Sequence, residues 1–237
     1  MKKLFLLFSA AMAFSCSDID SPPDVSNSTK LASVVTYNNG LWTSIFNLAY
    51  DTNQRLAQIV EHREFSDVDN VFTLTYDAND RLLLIDKMGQ EHHTVALTYD
   101  DTGKVSSWSL DEAEPRSVTY EQGIYTVSVA NIEIFHAYDT VNDITMIDSG
   151  SGVCSFNYDV TKNGAFKNVV GNYQLFGLFM DSFILWYGSK KALLSTTTSP
   201  FYSYTCINTY DEDGYITGFT GAYGDGRQPW ATITYTE

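Results

Sequence analysis

Five polar or sulfur-bearing side chains share one face of the strands that the sequence predicts. They are His93, His136, Cys154, Cys206 and Asn208. Imidazole nitrogens and thiolates are preferred transition-metal ligands, so a cluster of them would suit a metal site. No HxH, CxxC or HExxH spacing joins any of them, however. We therefore interpret them as core residues with satisfied hydrogen bonds, and the sequence predicts no metal and no cofactor.

Catalytic signatures are missing from the sequence in the same way. Serine, histidine and carboxylate residues are present, but no GxSxG elbow or comparable motif organises them. The acidic run from Asp211 to Gly214 faintly suggests a calcium loop, yet it lacks the EF-hand spacing and its distal glutamate, so a turn is the simpler interpretation. The sequence predicts that the protein is not an enzyme.

Tryptophan side chains are the remaining candidates for ligand contacts, because an indole face can stack on a sugar ring. Trp230 follows Pro229 next to a predicted loop and is expected to be the most exposed of the four tryptophans. The candidate ligand-binding residues are Trp230, Trp108 and Trp42. The alternative for each is a place in the core or at a rim.

The N-terminus has the form of a secretory signal, with Lys2 and Lys3 followed by an apolar run over residues 4–13. The tetrapeptide ending at Cys16 resembles a bacterial lipobox, which implies acylation of this cysteine. The acidic residues at 18 and 20 resemble the surface-export signal of Bacteroidota lipoproteins. The alternative is ordinary signal peptidase cleavage after Ala13, which would leave Cys16 as a free thiol.

These features predict three segments. Residues 1–15 form a lipoprotein signal peptide, residues 16–30 a lipidated cysteine and disordered tether, and residues 31–237 a single domain. The expected location is the outer membrane, with a lipid anchor on Cys16 and the domain facing the cell exterior.

The negative net charge of the chain limits the classes of molecule that it is expected to bind. The chain carries 14 Lys and Arg against 29 Asp and Glu, a net charge of −15. Nucleic-acid binding requires clustered cations, so no nucleic-acid partner is expected. With Cys16 lipidated, Cys154 and Cys206 remain, and equivalent strands of successive hairpins place them roughly 9 to 10 Å apart. A disulfide between them and two buried free thiols both remain open at this point.

A repeated unit organises the predicted strands. A strand ends in Tyr-Asp, a short turn follows, and a second apolar run leaves the turn. The first five intervals between repeat tyrosines are 26, 23, 21, 18 and 20 residues, room for two strands each. The aspartate is expected to accept backbone N–H bonds as an Asx turn, and residues that tolerate positive φ are expected at Asn53, Asn79, Gly103 and Gly214. The repeat tyrosines are Tyr50, Tyr76, Tyr99, Tyr120, Tyr138, Tyr158 and Tyr210.

Alternation along these strands predicts one buried, aromatic face and one small, polar face. About 14 to 16 strands in one meander exceed what an open twisted sheet usually holds. The predicted fold class is all-β, a large antiparallel meander of Tyr-Asp hairpins rolled into a closed or nearly closed barrel. The apolar insertion near residues 173–187 is either a buried strand pair or a short helix that plugs one end of the barrel.

The run YDxxxRLxxI at Tyr50 and Tyr76 resembles the YD repeats of Rhs and teneurin-type proteins, whose hairpins form a large shell. The whole chain resembles a Bacteroidota family of unknown function described as having a porin-like fold. That resemblance implies a large antiparallel barrel and no active-site residues.

The expected function is a surface-exposed lipoprotein that acts as a structural or binding module for a partner protein or extracellular material. The alternative is a lipoprotein that binds glycans or nutrients. An integral outer-membrane barrel is a third interpretation. The lipobox, the C-terminal Thr236 and Glu237, and the aspartates at the turns oppose it.

Overall fold

The computed structural model describes residues 29–129, 132–150, 152–180, 184–199, 202–222 and 226–236. The signal segment, Cys16 and most of the tether lie outside these residues. Within them the chain forms sixteen strands and two short helices. The strands are β1 (Ala32–Asn38), β2 (Thr43–Tyr50), β3 (Leu56–Arg63), β4 (Asn70–Tyr76), β5 (Leu82–Met88), β6 (His93–Tyr99), β7 (Val105–Leu110), β8 (Arg116–Glu121), β9 (Ile124–Val129), β10 (Ile132–Tyr138), β11 (Ile144–Asp148), β12 (Val153–Asn163), β13 (Lys191–Ser199), β14 (Tyr202–Tyr210), β15 (Ile216–Ala222) and β16 (Trp230–Tyr235).

The strands form one closed antiparallel barrel in which each strand pairs with its neighbours in sequence. The first and last strands, β1 and β16, pair from Ala32 with Tyr235 to Asn38 with Trp230 and close the cylinder. Closure removes every free strand edge and lets one face of the sheet enclose a core. The predicted all-β meander and its closure are confirmed.

The Tyr-Asp turns are built by their aspartates. Asp77 Oδ1 accepts the backbone N–H groups of Asn79 at 2.8 Å and Arg81 at 2.9 Å, and Oδ2 accepts Arg81 Nε at 2.6 Å. Burial by itself would raise the pKa of Asp77, but these hydrogen bonds and the nearby guanidinium lower the pKa below its ordinary value. The predicted Asx turns are therefore confirmed.

The position of positive φ differs from the prediction in two of these turns. Gly103 and Gly214 have φ of 79° and 78°, as expected. In the first two repeats the positive φ falls on Gln54 (63°) and Asp80 (59°), one residue after the predicted asparagines. In each turn the aspartate carbonyl accepts a hydrogen bond from the N–H of the residue three positions later, which is Gln54 or Asp80. This residue lies beside a β-bulge and adopts the left-handed conformation.

The repeat tyrosines tie neighbouring strands together at this end of the barrel. Tyr76 donates its hydroxyl hydrogen to the carbonyl of Leu56 at 2.9 Å, which links the last residue of β4 to the first of β3. The same link recurs at other strands, so we call this end of the barrel the tyrosine rim. The further links are Tyr50 to Ala32, Tyr99 to Leu82, Tyr158 to Ile144 and Tyr235 to Ile216.

The two faces of the sheet follow the predicted alternation. Inward positions are buried and apolar, with examples at Phe46, Leu48, Phe72, Leu74, Val95, Leu97, Val118, Phe156 and Ile233. Outward positions between them are small or polar and exposed, with examples at Asn47, Ala49, Thr73, Thr75, Ala96, Thr98, Thr119, Asn157 and Thr209. The outer surface is thus rich in small and polar side chains.

The apolar insertion lies inside the barrel as two short helices, α1 (Leu175–Phe179) and α2 (Ile184–Tyr187). Phe176 of α1 meets Phe72 edge to face with ring centroids 4.9 Å apart, and Tyr187 of α2 lies 5.1 Å from Phe46. Of the two predicted alternatives, the helical plug is right and the strand pair is wrong. We call the described residues between 164 and 190 the plug.

Backbone and side-chain hydrogen bonds fasten the plug to the tyrosine rim. Asn172 Oδ1 accepts the N–H of Leu82 at 2.6 Å, and its Nδ2 donates to the hydroxyl of Tyr99 at 3.1 Å. At the other end of the plug, Asp143 accepts the N–H of Lys190 at 2.6 Å and that of Lys191 at 3.0 Å. In the part of the chain that the structure describes, no helix has the length and apolar character to span a membrane.

Neither cysteine of the barrel forms a disulfide. Cys154 lies on β12 and Cys206 on β14, with β13 paired between them. Two strand spacings exceed the reach of a disulfide, so the disulfide alternative is wrong. Burial raises the pKa of the Cys206 thiol to about 12, which keeps this side chain an inert part of the core.

Candidate functional site

A groove of about 600 Å³ runs over the outer surface of β14, β15 and the start of β16. It lies at the end of the barrel opposite the tyrosine rim, which we call the loop rim, because β16 begins there at Trp230. The groove is lined by Ser203, Thr205, Ile207, Thr220, Gly221, Ala222, Gln228 and Trp230.

Strand register places the groove residues side by side. Ile207 on β14 lies opposite Thr220 on β15, and Thr220 lies opposite Trp230 on β16. Side chains that face each other across strands are about 4.5 to 5.5 Å apart at Cβ, so these three form one row across the sheet. A depression results because small side chains on β15 lie between the larger Ile207 and Trp230.

Gly221 lies on β15 beneath the groove, and its lack of a side chain leaves room for an interior residue. Its inner side faces the ring of Tyr204, and a Cβ at this position would collide with that ring. Its N–H donates to the carbonyl of Pro229 at 2.9 Å, which holds the chain leading to Trp230 against β15. A glycine here lets the buried Tyr204 ring fill the interior directly behind the groove.

The groove offers neutral chemistry. Hydroxyl groups come from serine and threonine, an amide from Gln228, and an apolar surface from Trp230 and Ile207, which is 71% exposed. None of the described lining residues is charged, although the chain as a whole has a net charge of −15. An aromatic face beside several neutral donors and acceptors suits a hydroxyl-rich, uncharged ligand.

Of the three predicted tryptophans, Trp230 is the one that lines the groove. Trp230 lines the groove as expected, while Trp42 lies in the turn between β1 and β2 and does not line it. Trp108 is only 6% exposed and lies inside the barrel, with its ring 5.3 Å from Phe179 of the plug. Trp108 thus occupies the core position that was the alternative to ligand binding, and it does not line the groove.

The five polar side chains of the inner face are also dispersed. His93 lies at the loop rim and pairs with Asp111 at 2.8 Å and Glu91 at 3.1 Å, hydrogen bonds that raise its pKa. Asn208 donates to the carbonyl of Leu193 at 2.9 Å. Among the described residues, no group of three His, Cys, Asp or Glu side chains is placed to hold a metal ion.

His136 departs from the expectation of a satisfied core residue. It is buried on β10, and its Nδ1 has no hydrogen-bond partner within the described part of the chain. Burial disfavours the charged imidazolium and lowers the pKa of His136 to about 4. The imidazole is therefore neutral inside the barrel at ordinary pH.

The acidic run at residues 211–214 is a Tyr-Asp turn, as predicted. Asp211 Oδ1 accepts the N–H groups of Asp213 at 3.1 Å and Tyr215 at 2.9 Å. The cation beside it is Lys30, which bonds to Asp211 at 2.9 Å and also to Asp213. Lys30 was predicted to belong to the disordered tether, but this pairing places it on the barrel.

The groove itself was missed because its members are far apart in sequence. The outward alternation of Ser203, Thr205 and Ile207 is readable from the strand pattern, and Trp230 was already a candidate. Nothing local indicates that Thr220 would lie between Ile207 and Trp230, because that depends on two inter-strand registers.

The fold and its surface groove define a plugged antiparallel β-barrel. The chain is similar in structure to a porin-like protein from Bacteroides uniformis ATCC 8492, with a TM-score of 0.56 and 11% sequence identity over 86% of this chain and 96% of that chain. A porin-like protein from Bacteroides vulgatus ATCC 8482 aligns with a TM-score of 0.40 and 10% identity, over 87% of this chain and 99% of that one. No family model matches the sequence, and no curated protein matches it. The first likeness supports the predicted porin-like fold, and at this identity it shows the fold alone.

Proposed function

We propose that this chain is a lipid-anchored, non-catalytic binding module of the cell surface, and that its outer groove holds extracellular material. One observation carries the proposal: the plug occupies the barrel interior while a groove of about 600 Å³ stays open on the outer surface. Two cavities lined by described residues beside the plug hold about 10 and 30 Å³. Such volumes accommodate a water molecule, not a transported solute.

The polar outer surface of the barrel favours attachment to the membrane by a lipid anchor and disfavours insertion of the barrel into the bilayer. Transmembrane barrels present an apolar band about 25 Å tall to the lipid. Here the outward positions include Asn47, Thr73, Thr98, Thr119 and Asn157, all exposed. Placing these side chains in hydrocarbon would leave their polar groups without partners, so the domain is expected to stand in water.

The point where the chain enters the barrel supports an orientation. Lys30 is held at the tyrosine rim by Asp211 and Asp213, and Asn168 Nδ2 donates to the Lys30 carbonyl at 2.9 Å. The 14 residues that separate Cys16 from Lys30 in sequence can reach at most about 50 Å. A lipid on Cys16 would therefore hold the tyrosine rim towards the membrane and leave the loop rim, with the groove, facing outwards.

Replacing Cys16 by serine is expected to abolish fatty-acid labelling and to release the protein from the membrane fraction, because the thiol is the acylation site. Metabolic labelling with an alkyne fatty acid, followed by membrane fractionation, measures both effects. The Cys154→Ser variant, which alters a cysteine of the barrel that forms no disulfide, should label like the natural protein. Labelling that survives in the Cys16→Ser variant would refute the anchor.

The groove chemistry favours a neutral glycan as the bound material. A sugar presents C–H groups that pack on an indole and hydroxyl groups that pair with threonine, serine and glutamine side chains. The exposed Ile207 favours a second candidate, a protein partner that covers an apolar side chain in the same groove.

Replacing Trp230 by alanine is expected to weaken glycan binding roughly tenfold or more, because stacking on one aromatic ring contributes about 1.5 kcal/mol. Affinity electrophoresis in gels that contain a β-glucan, a mannan or a dextran measures the effect. The control is Phe65→Ala, which removes an aromatic ring that is 91% exposed but lies outside the groove. Equal retardation of both variants and the natural protein would count against the groove, and absence of any retardation would favour the protein partner.

A further inference from the structure

A small pocket lies at the tyrosine rim, between the plug and strands β9 and β10, and we call it the rim pocket. It holds about 30 Å³ and is lined by Tyr125, Tyr138, Asn142, Asn172, Gln174 and Leu175. We propose that the rim pocket binds one neutral amide group at the end of a larger molecule, through Gln174 and Tyr138. It shares no lining residue with the outer groove, so the proposal does not depend on that groove.

Gln174 borders the rim pocket with both ends of its amide unpaired. It precedes α1 and is only 5% exposed. Neither Oε1 nor Nε2 has a hydrogen-bond partner in the part of the chain that the structure describes. Gln174 also borders a cavity of about 10 Å³, which has room for at most one water molecule. Buried polar groups are nearly always hydrogen-bonded, so this amide indicates a ligand in the larger of its two neighbouring spaces.

Tyr138 brings a second unpaired group to the same pocket. It ends β10, and at the equivalent position of other strands five rim tyrosines donate to the first carbonyl of the preceding strand. For Tyr138 that acceptor would be Ile124, but its buried hydroxyl has no hydrogen-bond partner among the described residues. Its ring instead packs edge to face on Tyr125, with ring centroids 5.9 Å apart. The hydroxyl therefore remains available to a ligand.

The chemistry of the rim pocket favours an uncharged ligand. Its described lining consists of two phenols, three carboxamides and one leucine, none of them charged. Burial raises the pKa of Tyr125 and of Tyr138, so both hydroxyls stay protonated at ordinary pH. An ion would lose its hydration here without gaining a counter-charge, whereas a neutral polar group loses much less and regains hydrogen bonds.

The volume of the rim pocket selects a group of a few atoms. One water molecule needs roughly 10 to 15 Å³, so about 30 Å³ holds roughly two of them. The oxygen and nitrogen of one amide group can replace two such waters and supply an acceptor and a donor. The Gln174 amide and the Tyr138 hydroxyl each donate and accept, so together they match both atoms. Asn142 is exposed beside the pocket, which lets the rest of the ligand extend into solvent.

The test compares acetamide with acetate, which have the same shape and differ in charge, on the purified protein. Heteronuclear NMR follows the side-chain amide signals of Gln174, which are identified by their disappearance in the Gln174→Met variant or, if that variant does not fold, by sequential assignment. Acetamide is expected to shift these signals in a saturable manner, and acetate is not. Absence of a shift with acetamide, or an equal shift with acetate, would overturn the proposal.

Two further pairs of probes distinguish the sources of the amide. N-acetylglucosamine beside glucose tests an acetylated amino sugar, and glutamine beside glutamate tests an amide side chain. We expect at least one of the two amides to shift the Gln174 signals while its amide-free counterpart does not. A response to acetamide but to neither larger amide would identify an adventitious small molecule only, and the proposal would fail.

Tyr138→Phe is expected to weaken amide binding roughly fivefold, because the ligand loses one hydrogen bond. This variant keeps Gln174, whose signals still report binding. The control is Tyr50→Phe, which removes a hydroxyl at the same rim but outside the pocket and should bind like the natural protein. Equal weakening in both variants would identify a general loosening of the rim and refute the site. Trp230→Ala should retain the response, which separates the rim pocket from the outer groove.

Discussion

Truncating Phe176 to alanine is expected to lower the free energy of unfolding by about 3 to 5 kcal/mol. Phe176 is the second residue of α1, is almost completely buried, and packs edge to face on Phe72 of β4. Its removal deletes buried apolar surface and leaves a cavity between the plug and the barrel wall, which cannot collapse because the closed sheet is hydrogen-bonded all round.

Urea unfolding followed by near-ultraviolet circular dichroism measures this effect. The matched control is again Phe65→Ala, since the Phe65 ring is almost fully exposed and its loss should change stability by less than about 0.5 kcal/mol. Similar unfolding midpoints for the two variants would mean that α1 does not pack inside the barrel, and the proposal of a filled interior would fail with it.

Lowering the pH is expected to change the free energy of unfolding through two buried titratable groups, which act in opposite directions. Burial lowers the pKa of His136 to about 4. Burial likewise raises the pKa of Asp143 to about 6, although the N–H groups of Lys190 and Lys191 oppose this shift. At 1.36 kcal/mol per pKa unit, each shift changes the free energy of unfolding by about 3 kcal/mol across the pH range between the folded and unfolded pKa values.

The signs follow from which state binds the proton. The unfolded imidazole takes up a proton near pH 6.5 while the folded one stays neutral, so the contribution of His136 is present above pH 6.5 and is lost as the pH falls towards 4. The folded Asp143 holds its proton up to about pH 6, so its contribution is present below pH 3.8 and is lost as the pH rises through 6. In the natural protein the two contributions offset each other.

Single substitutions should therefore separate the two contributions. His136→Gln is expected to gain about 3 kcal/mol of stability, relative to the natural protein, when the pH is lowered from 7 to 4, and Asp143→Asn to lose a similar amount. Urea midpoints at pH 7, 5.5 and 4 measure the slopes, and the contribution of every other titrating group cancels in the comparison. Three parallel curves would show that neither group has the shifted pKa.

Much of this fold is encoded locally. Alternation along the strands placed Phe46, Phe72 and Val95 on the inner face before any pairing was known, because the two faces of a strand meet different solvents. The Tyr-Asp turns were equally readable, since an Asx turn needs only the few residues that follow the aspartate. Even there the position of positive φ was predicted one residue too early, because hairpin closure and the β-bulge decide it jointly.

The contacts relevant to function depend on which residues of different strands and of the plug become neighbours in space. Strand propensity did not show that Trp108 would face Phe179, because the plug comes from a segment some seventy residues later in the chain. The row of Ile207, Thr220 and Trp230 depends on two registers. Helix and strand were equally compatible with the apolar insertion, since a segment buried on all sides carries no periodic signal.

The sequence by itself determined the strands, their turns, the inward face and the closure of the barrel, because these follow from side-chain alternation, turn chemistry and strand number. Only the tertiary structure decided that the interior is filled, that Cys154 and Cys206 stay apart, and that Trp230 borders a neutral groove while Gln174 and Tyr138 border one pocket. The physical reason is that burial, partner choice and pKa are set by neighbours in space, which inter-strand register and the docking of the plug bring together.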